Sequence, residues 1–219
     1  MKRNTKQRIL DAALQLFNVE GYVNVRLAQI AEQADMSVGN MAYHFPHKPQ
    51  ILEGIYEELQ TEQQQLLTEI NLAPLFENFD YFIRSTYKLQ KKYIFFYLDT
   101  LELIRTSEVL KKVHQEHLQW QRMQLELLLE FNRARGVVDW RANLENPERL
   151  ARHLRHVMDS WHSMQLIEGA EADDFWTYRS CTWSVLQPYF TDMGWKEYGQ
   201  LKRDSDTGIE NITASERTN

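Results

Sequence analysis

"SVGNMAYHFPHK", residues 37–48, sets a hydroxyl side chain, a glycine and an amide ahead of three consecutive ring side chains, then a proline and a lysine. On a helix Val38, Met41, Ala42 and Phe45 recur at three- and four-residue spacing and share one face. Ser37, Gly39, Asn40, Tyr43 and His44 then point outward. That outward set is polar, flat and nearly uncharged, the character of a surface that reads another molecule.

Upstream, Asp35, Met36 and Ser37 make a three-residue turn. Asp35 tolerates a left-handed backbone, and Ser37 is placed to cap the helix that follows. Before the turn lies a second short helix, LAQIAEQA (27–34), whose Leu27, Ile30 and Ala31 belong with Phe45 in a small core. A longer helix precedes it, with Thr5 as its expected cap, an apolar stripe of Ile9, Ala13, Leu16 and Phe17, and an end near Gly21. Downstream, Pro46 stops the 37–44 helix and Pro49 suits the first turn of a long, charged one. Two short helices joined by a tight turn make a helix-turn-helix. The second helix of such a motif enters the DNA major groove while the first crosses the backbone.

Eight glycines and five prolines punctuate 219 residues, and no stretch sustains β-branched alternation, so the chain reads as all-α. Beyond Pro74 long helix-period segments rich in Phe and Tyr take over, interrupted at Gly136 and restarted at Pro147. The expected division is a helix-turn-helix module over 3–63, a larger helical body over 64–201, and a polar tail over 202–219 whose composition predicts disorder.

No apolar run approaches the roughly 20 residues of a membrane span. The opening MKRNTKQRILDAALQLF puts basic residues before apolar ones, but Asp11, Gln15 and Glu20 break the apolar stretch, so a cytoplasmic protein without membrane association is expected. The single cysteine, Cys181, makes no internal disulfide, fits a reducing compartment and reads as a small buried hydrophobe. The net charge of −6 is unevenly spread: residues 1–48 carry six basic against four acidic side chains, and the rest 19 against 27. A weakly basic module can therefore meet phosphates while an acidic body stays clear of them.

Enzymatic signatures are missing. There is no G-x-S-x-G elbow, phosphate-binding glycine loop or dinucleotide glycine pattern. His114 and His117, and again His153 and His156, sit three apart on helices, a spacing open to a metal. Without cysteines beside them they read as interface or surface histidines, and no cofactor or metal is expected. A helical metal-dependent enzyme is the remote alternative.

The segment GYVNVRLAQIAEQADMSVGNMAYHFPHK, with the amphipathic helix before it, resembles the TetR/AcrR family of transcriptional regulators over about residues 5–60. The string S-x-G-N-x-x-Y-H-F-x-x-K and its spacing to Ile30–Ala31 and Gly21 carry the resemblance. Each position also has a physical role. Gly39 permits close approach to DNA. Asn40 can pair bidentately with an adenine edge, typically about 1–3 kcal/mol of discrimination. Tyr43 and His44 reach toward phosphates unless they pack on the next helix, and Lys48 brings a cation and the fourth helix's N-terminus to the backbone. Ser37 and Val38 complete the contact set.

Two positions depart from the family pattern. Arg26 stands where Thr or Ser usually caps the motif's first helix, a lost cap costing about 1 kcal/mol. Its fork of donors is instead available to a phosphate. Ala42 replaces a frequent Tyr and removes one phosphate contact.

The resemblance implies a homodimer on a palindromic double-stranded operator, released by a small-molecule effector held in the body. A regulator with no effector is the alternative. The last long helices are expected to form the dimer interface through His153, Val157, Trp161 and Met164, and through Trp176, Ser180, Trp183 and Gln187. An effector pocket is expected to draw on Phe79, Phe82, Tyr93, Phe96, Tyr97, Trp120 and Met123.

Overall fold

Helices begin where a side chain can satisfy the first backbone amides, and the chain supplies such residues repeatedly. The computed structural model describes residues 4–140, 146–169 and 174–201; the expected tail 202–219 lies outside them. Among the described residues, nine α-helices precede a 3₁₀ turn, in the order α1 (Thr5–Glu20), α2 (Leu27–Gln33), α3 (Val38–His44), α4 (Lys48–Leu72), α5 (Phe76–Lys92), α6 (Ile94–Thr106), α7 (Glu108–Ala134), α8 (Pro147–Glu168) and α9 (Phe175–Ser184). The 3₁₀ turn at Gln187–Tyr189 leads to α10 (192–201), which has no counterpart among the sequence expectations. The cap of α1 is Asn4, whose side chain accepts from the Lys6 N–H at 3.3 Å, one residue before the expected Thr5. The aromatic segment after Pro74 is two helices, broken at Tyr93, and α6 carries a further kink at Asp99.

By packing, the chain forms two compact units whose segments interleave in sequence. One unit takes residues up to Gln65, Lys88–Trp120 and those from Asp159; the other takes Leu66–Tyr87, Gln121–Met158 and those from 174.

The first unit is built on the α1 stripe. Ile9, Ala13 and Phe17 are fully buried, as are Ile30 on α2, Met41 on α3, and Ile51 and Leu52 on α4. Phe17 meets Tyr22 edge-on at 5.2 Å and Phe95 at 5.4 Å. Gly21 ends α1 with φ +76, a conformation side chains rarely adopt, and its N–H donates to the Phe17 carbonyl at 3.0 Å.

The second unit closes around Trp183, which is fully buried. Its ring meets Phe79 at 4.9 Å, Tyr198 at 5.0 Å and Phe76 at 5.1 Å. The indole N–H donates to the Asp80 carboxylate at 2.8 Å, and that oxygen also receives the Arg179 Nε at 2.6 Å. Val138 bridges Phe190 in an isolated antiparallel contact, and a Cβ added at Gly194 would stand 2.1 Å from the Val137 carbonyl oxygen. Only glycine fits there.

Candidate nucleic-acid interface

The recognition helix of the motif starts on a local cap. Ser37 caps α3, its hydroxyl accepting from the Asn40 N–H at 3.2 Å. Met41 is the buried anchor of α3, with Ala42 and Phe45 half-buried beside it. Val38 leaves that inward row. It is 48% exposed, at the first position of α3.

The outward face is Ser37, Val38, Gly39, Asn40 and Tyr43, all exposed, with His44 half-buried. Tyr43 is 85% exposed, so it does not pack on α4; its ring meets His44 edge-on at 5.2 Å. A Cβ at Gly39 would meet nothing within 4 Å. No intramolecular neighbour requires the glycine, so its missing side chain matters only to something arriving from outside.

Arg26 is exposed at the start of α2 and caps nothing with its side chain. Half of the lost capping arrangement is recovered by Gln29, whose amide oxygen accepts from the Arg26 N–H at 2.7 Å while its Nε2 donates to Glu20 at 3.1 Å. The sequence reading missed Gln29, although its place three residues after the cap position is the signal. The same half of a capping box starts α4, where the His47 N–H donates to the Gln50 side chain at 3.2 Å.

Lys48 departs from expectation. Its ammonium turns inward, donating to the Val25 carbonyl at 2.6 Å and toward that of Val23 at 3.4 Å, with the Tyr22 ring centroid 4.3 Å away. Burial pulls its pKa below the ordinary lysine value. The residue ties the start of α4 to the α1–α2 connection before it serves any phosphate.

The seven residues expected to line one pocket are divided between the units. In the second unit, Phe79 and Phe82 are buried and stacked at 6.2 Å, while Met123 is 56% exposed. In the first, Tyr93, Phe96 and Tyr97 are buried and Trp120 is half-buried. These aromatics sit among polar partners that periodicity does not reveal. The Tyr93 hydroxyl donates to Glu62 at 2.6 Å, and burial followed by that carboxylate pushes its pKa up. The Gln63 amide donates to the Tyr97 hydroxyl and pairs with His117 Nε2, both at 2.7 Å. The Tyr56 hydroxyl pairs with His114 Nδ1 at 2.9 Å. His114 and His117, expected at a surface or interface, therefore face α4, and His117 is buried against a stacked Trp120 at 5.7 Å. Among the described residues no group of three or more His, Cys, Asp or Glu is arranged to hold a metal.

Of the expected interface residues, His153, Met164, Trp176 and Ser180 are exposed, and Val157, Trp161 and Gln187 are half-buried. Trp183 is a correction. It is the centre of its unit's core and presents nothing to a partner. Cys181, expected to be buried, is half-buried.

The family described as "Bacterial regulatory proteins, tetR family" matches residues 9–55, and the family TetR, "Bacterial transcriptional repressor", matches residues 54–198. The chain belongs to the TetR family. An uncharacterized HTH-type transcriptional regulator of the dhlA 5′ region of Xanthobacter autotrophicus is 45% identical over 53 residues, 24% of this chain and 26% of that protein. The match thus spans about a quarter of that relative's length. A TetR-family transcriptional regulator from Marinobacter aquaeolei has the same fold, with a TM-score of 0.79 at 20% identity over 93% of this chain and 98% of its own. SmeT, solved as a complex with triclosan, superposes with a TM-score of 0.65 at 20% identity over 86% of this chain and 92% of its own. As in the TetR family at large, the N-terminal helices form the helix-turn-helix, and no described helix is long and apolar enough to cross a membrane.

Proposed function

We propose that this TetR-family protein is a cytoplasmic, non-enzymatic repressor that binds a palindromic operator as a homodimer and is released by a small molecule. One observation carries the DNA reading: α3 presents Asn40 and an unobstructed Gly39 to solvent, beside the exposed Tyr43. Asn40 reads an adenine edge in the major groove, and Gly39 lets the backbone approach. Ser37 and Val38 flank them, while Tyr43, His44 and Arg26 take phosphates, together with the N-terminus of α4. In this reading residues 3–63 bind DNA and 64–201 dimerise and sense.

A single recognition helix spans too few base pairs, so two copies about 34–36 Å apart read a two-fold site. Exposed Met164 beside Trp161 in the first unit, and separately exposed His153, Trp176 and Ser180 in the second, support the dimer reading. The triclosan complex of SmeT supports an effector of aromatic character, met here by Phe96, Tyr97 and Trp120.

Selection from a random duplex pool tests the reading. The wild type should enrich a palindrome, and Asn40→Ala should relax base preference at one position in each half-site. Sedimentation should give twice 26.2 kDa. Recovery of no preferred sequence, or a monomer on the enriched site, rejects it. A thermal-shift screen of drugs and metabolites, followed by DNA release with each hit, separates the effector-gated protein from a constitutive regulator.

A further inference from the structure

The turn between α2 and α3 is a Schellman closure: the Met36 N–H donates to the Ala31 carbonyl and the Asp35 N–H to that of Glu32, each at 3.0 Å. Such closures usually place glycine at the left-handed position; here it is Asp35, with φ +50. The two bonds leave the carbonyls of Ala34 and Asp35 at the negative end of the α2 dipole. Both accept from one guanidinium nitrogen. Arg8 Nη2, arriving from α1, donates to Ala34 O at 2.5 Å and to Asp35 O at 3.1 Å, and lies 3.9 Å from the Asp35 carboxylate.

We propose that Arg8 is a positioning residue for sequence readout. By bracketing the last carbonyls of α2 and its turn from a third helix, it fixes the angle at which α3 leaves α2. That angle sets the direction of Asn40 and Tyr43. The inference rests on the DNA-binding reading above and adds a residue that acts without touching DNA. Base-edge hydrogen bonds weaken steeply when misaligned. Attraction to phosphates is a sum over charges and barely registers a few degrees of helix rotation. Releasing the bracket therefore removes discrimination and leaves non-specific attraction.

The test uses the full chain and an operator selected by the wild type, with affinity measured for that operator and for an unrelated duplex. Arg8→Ala should lower the specific-to-non-specific ratio about tenfold. Lys6→Ala, which removes an equal charge from the exposed side of the same helix, should change it by less than about twofold. In Arg8→Ala/Asp35→Gly the glycine accepts the left-handed turn, so the melting temperature should recover while the ratio stays low. An unchanged ratio in Arg8→Ala overturns the proposal. So does an equal fall in Lys6→Ala, which would make Arg8 a phosphate cation, or a ratio that recovers with melting temperature in the double variant. If the wild type selects no sequence, the DNA-binding reading itself fails, a result distinct from an operator read equally well without Arg8.

Discussion

Asn18 brackets the α5–α6 break from Lys92 to Phe95: its amide oxygen accepts from the Phe95 N–H at 3.2 Å while its Nδ2 donates to the Lys92 carbonyl at 2.9 Å. One side chain of α1 thereby satisfies both backbone groups at the α5–α6 break. Asn18→Ala leaves them without that partner and should cost about 1–3 kcal/mol in urea unfolding. Asn18→Asp keeps the acceptor and loses the donor, so it should fall between. A midpoint unmoved in both variants means the bracket contributes nothing.

Lys48 yields a test of position against charge. With the ammonium held on the Val25 carbonyl, Lys48→Met should destabilise the folded chain by about 1–2 kcal/mol. It should leave the salt dependence of DNA binding nearly unchanged. If stability holds and the logarithmic salt slope drops by about one, Lys48 is a phosphate ligand after all.

Gly39 separates stability from recognition. Nothing lies within 4 Å of a Cβ there, and alanine is the better helix former. Gly39→Ala should raise stability by about 0.5–1 kcal/mol and still weaken operator affinity, because the methyl meets DNA. Equal affinity of the two proteins would remove Gly39 from the interface.

Trp183 belongs to the core, so charge there acts on folding. Trp183→Glu places a carboxylate beside Asp80, at the centre of a packed aromatic cluster. The expected product is unfolded or aggregated protein, read by near-ultraviolet circular dichroism. Trp183→Phe keeps most of the packing, loses the indole bond to Asp80 and should cost about 1–3 kcal/mol. A folded, soluble Trp183→Glu monomer would return this residue to the interface.

His162 makes stability fall in mild acid. Burial first, and Lys91 second, hold its pKa at about 4 against an ordinary 6.5. Between those values the unfolded chain binds a proton that the folded chain refuses, so stability rises with pH across that window and is lost as pH drops through it. From pH 7 to pH 5 the loss from this group should be on the order of 2 kcal/mol. His162→Gln should flatten that part of the urea-derived profile; an unaltered profile would show that another group titrates there.

Local chemistry was readable from the chain itself. Helix-period spacing without β-branched alternation, Ser37 ahead of α3 and Pro46 behind it depend on neighbours within a few residues. The all-α class, the helix-turn-helix and the face bearing Asn40 and Tyr43 follow from them. What lay beyond reach depends on partners far along the chain. Lys48 looked like a free cation until Val25 folded beneath it, Trp183 looked like part of a helix stripe until Asp80 met it from α5, and Arg8 carried no signal until the α2–α3 turn arrived beside it. Periodicity says that a face is apolar, but whether it meets its own chain or a second one is decided by which surfaces close over it. That is a property of tertiary packing, because burial is set by contacts between segments far apart in sequence.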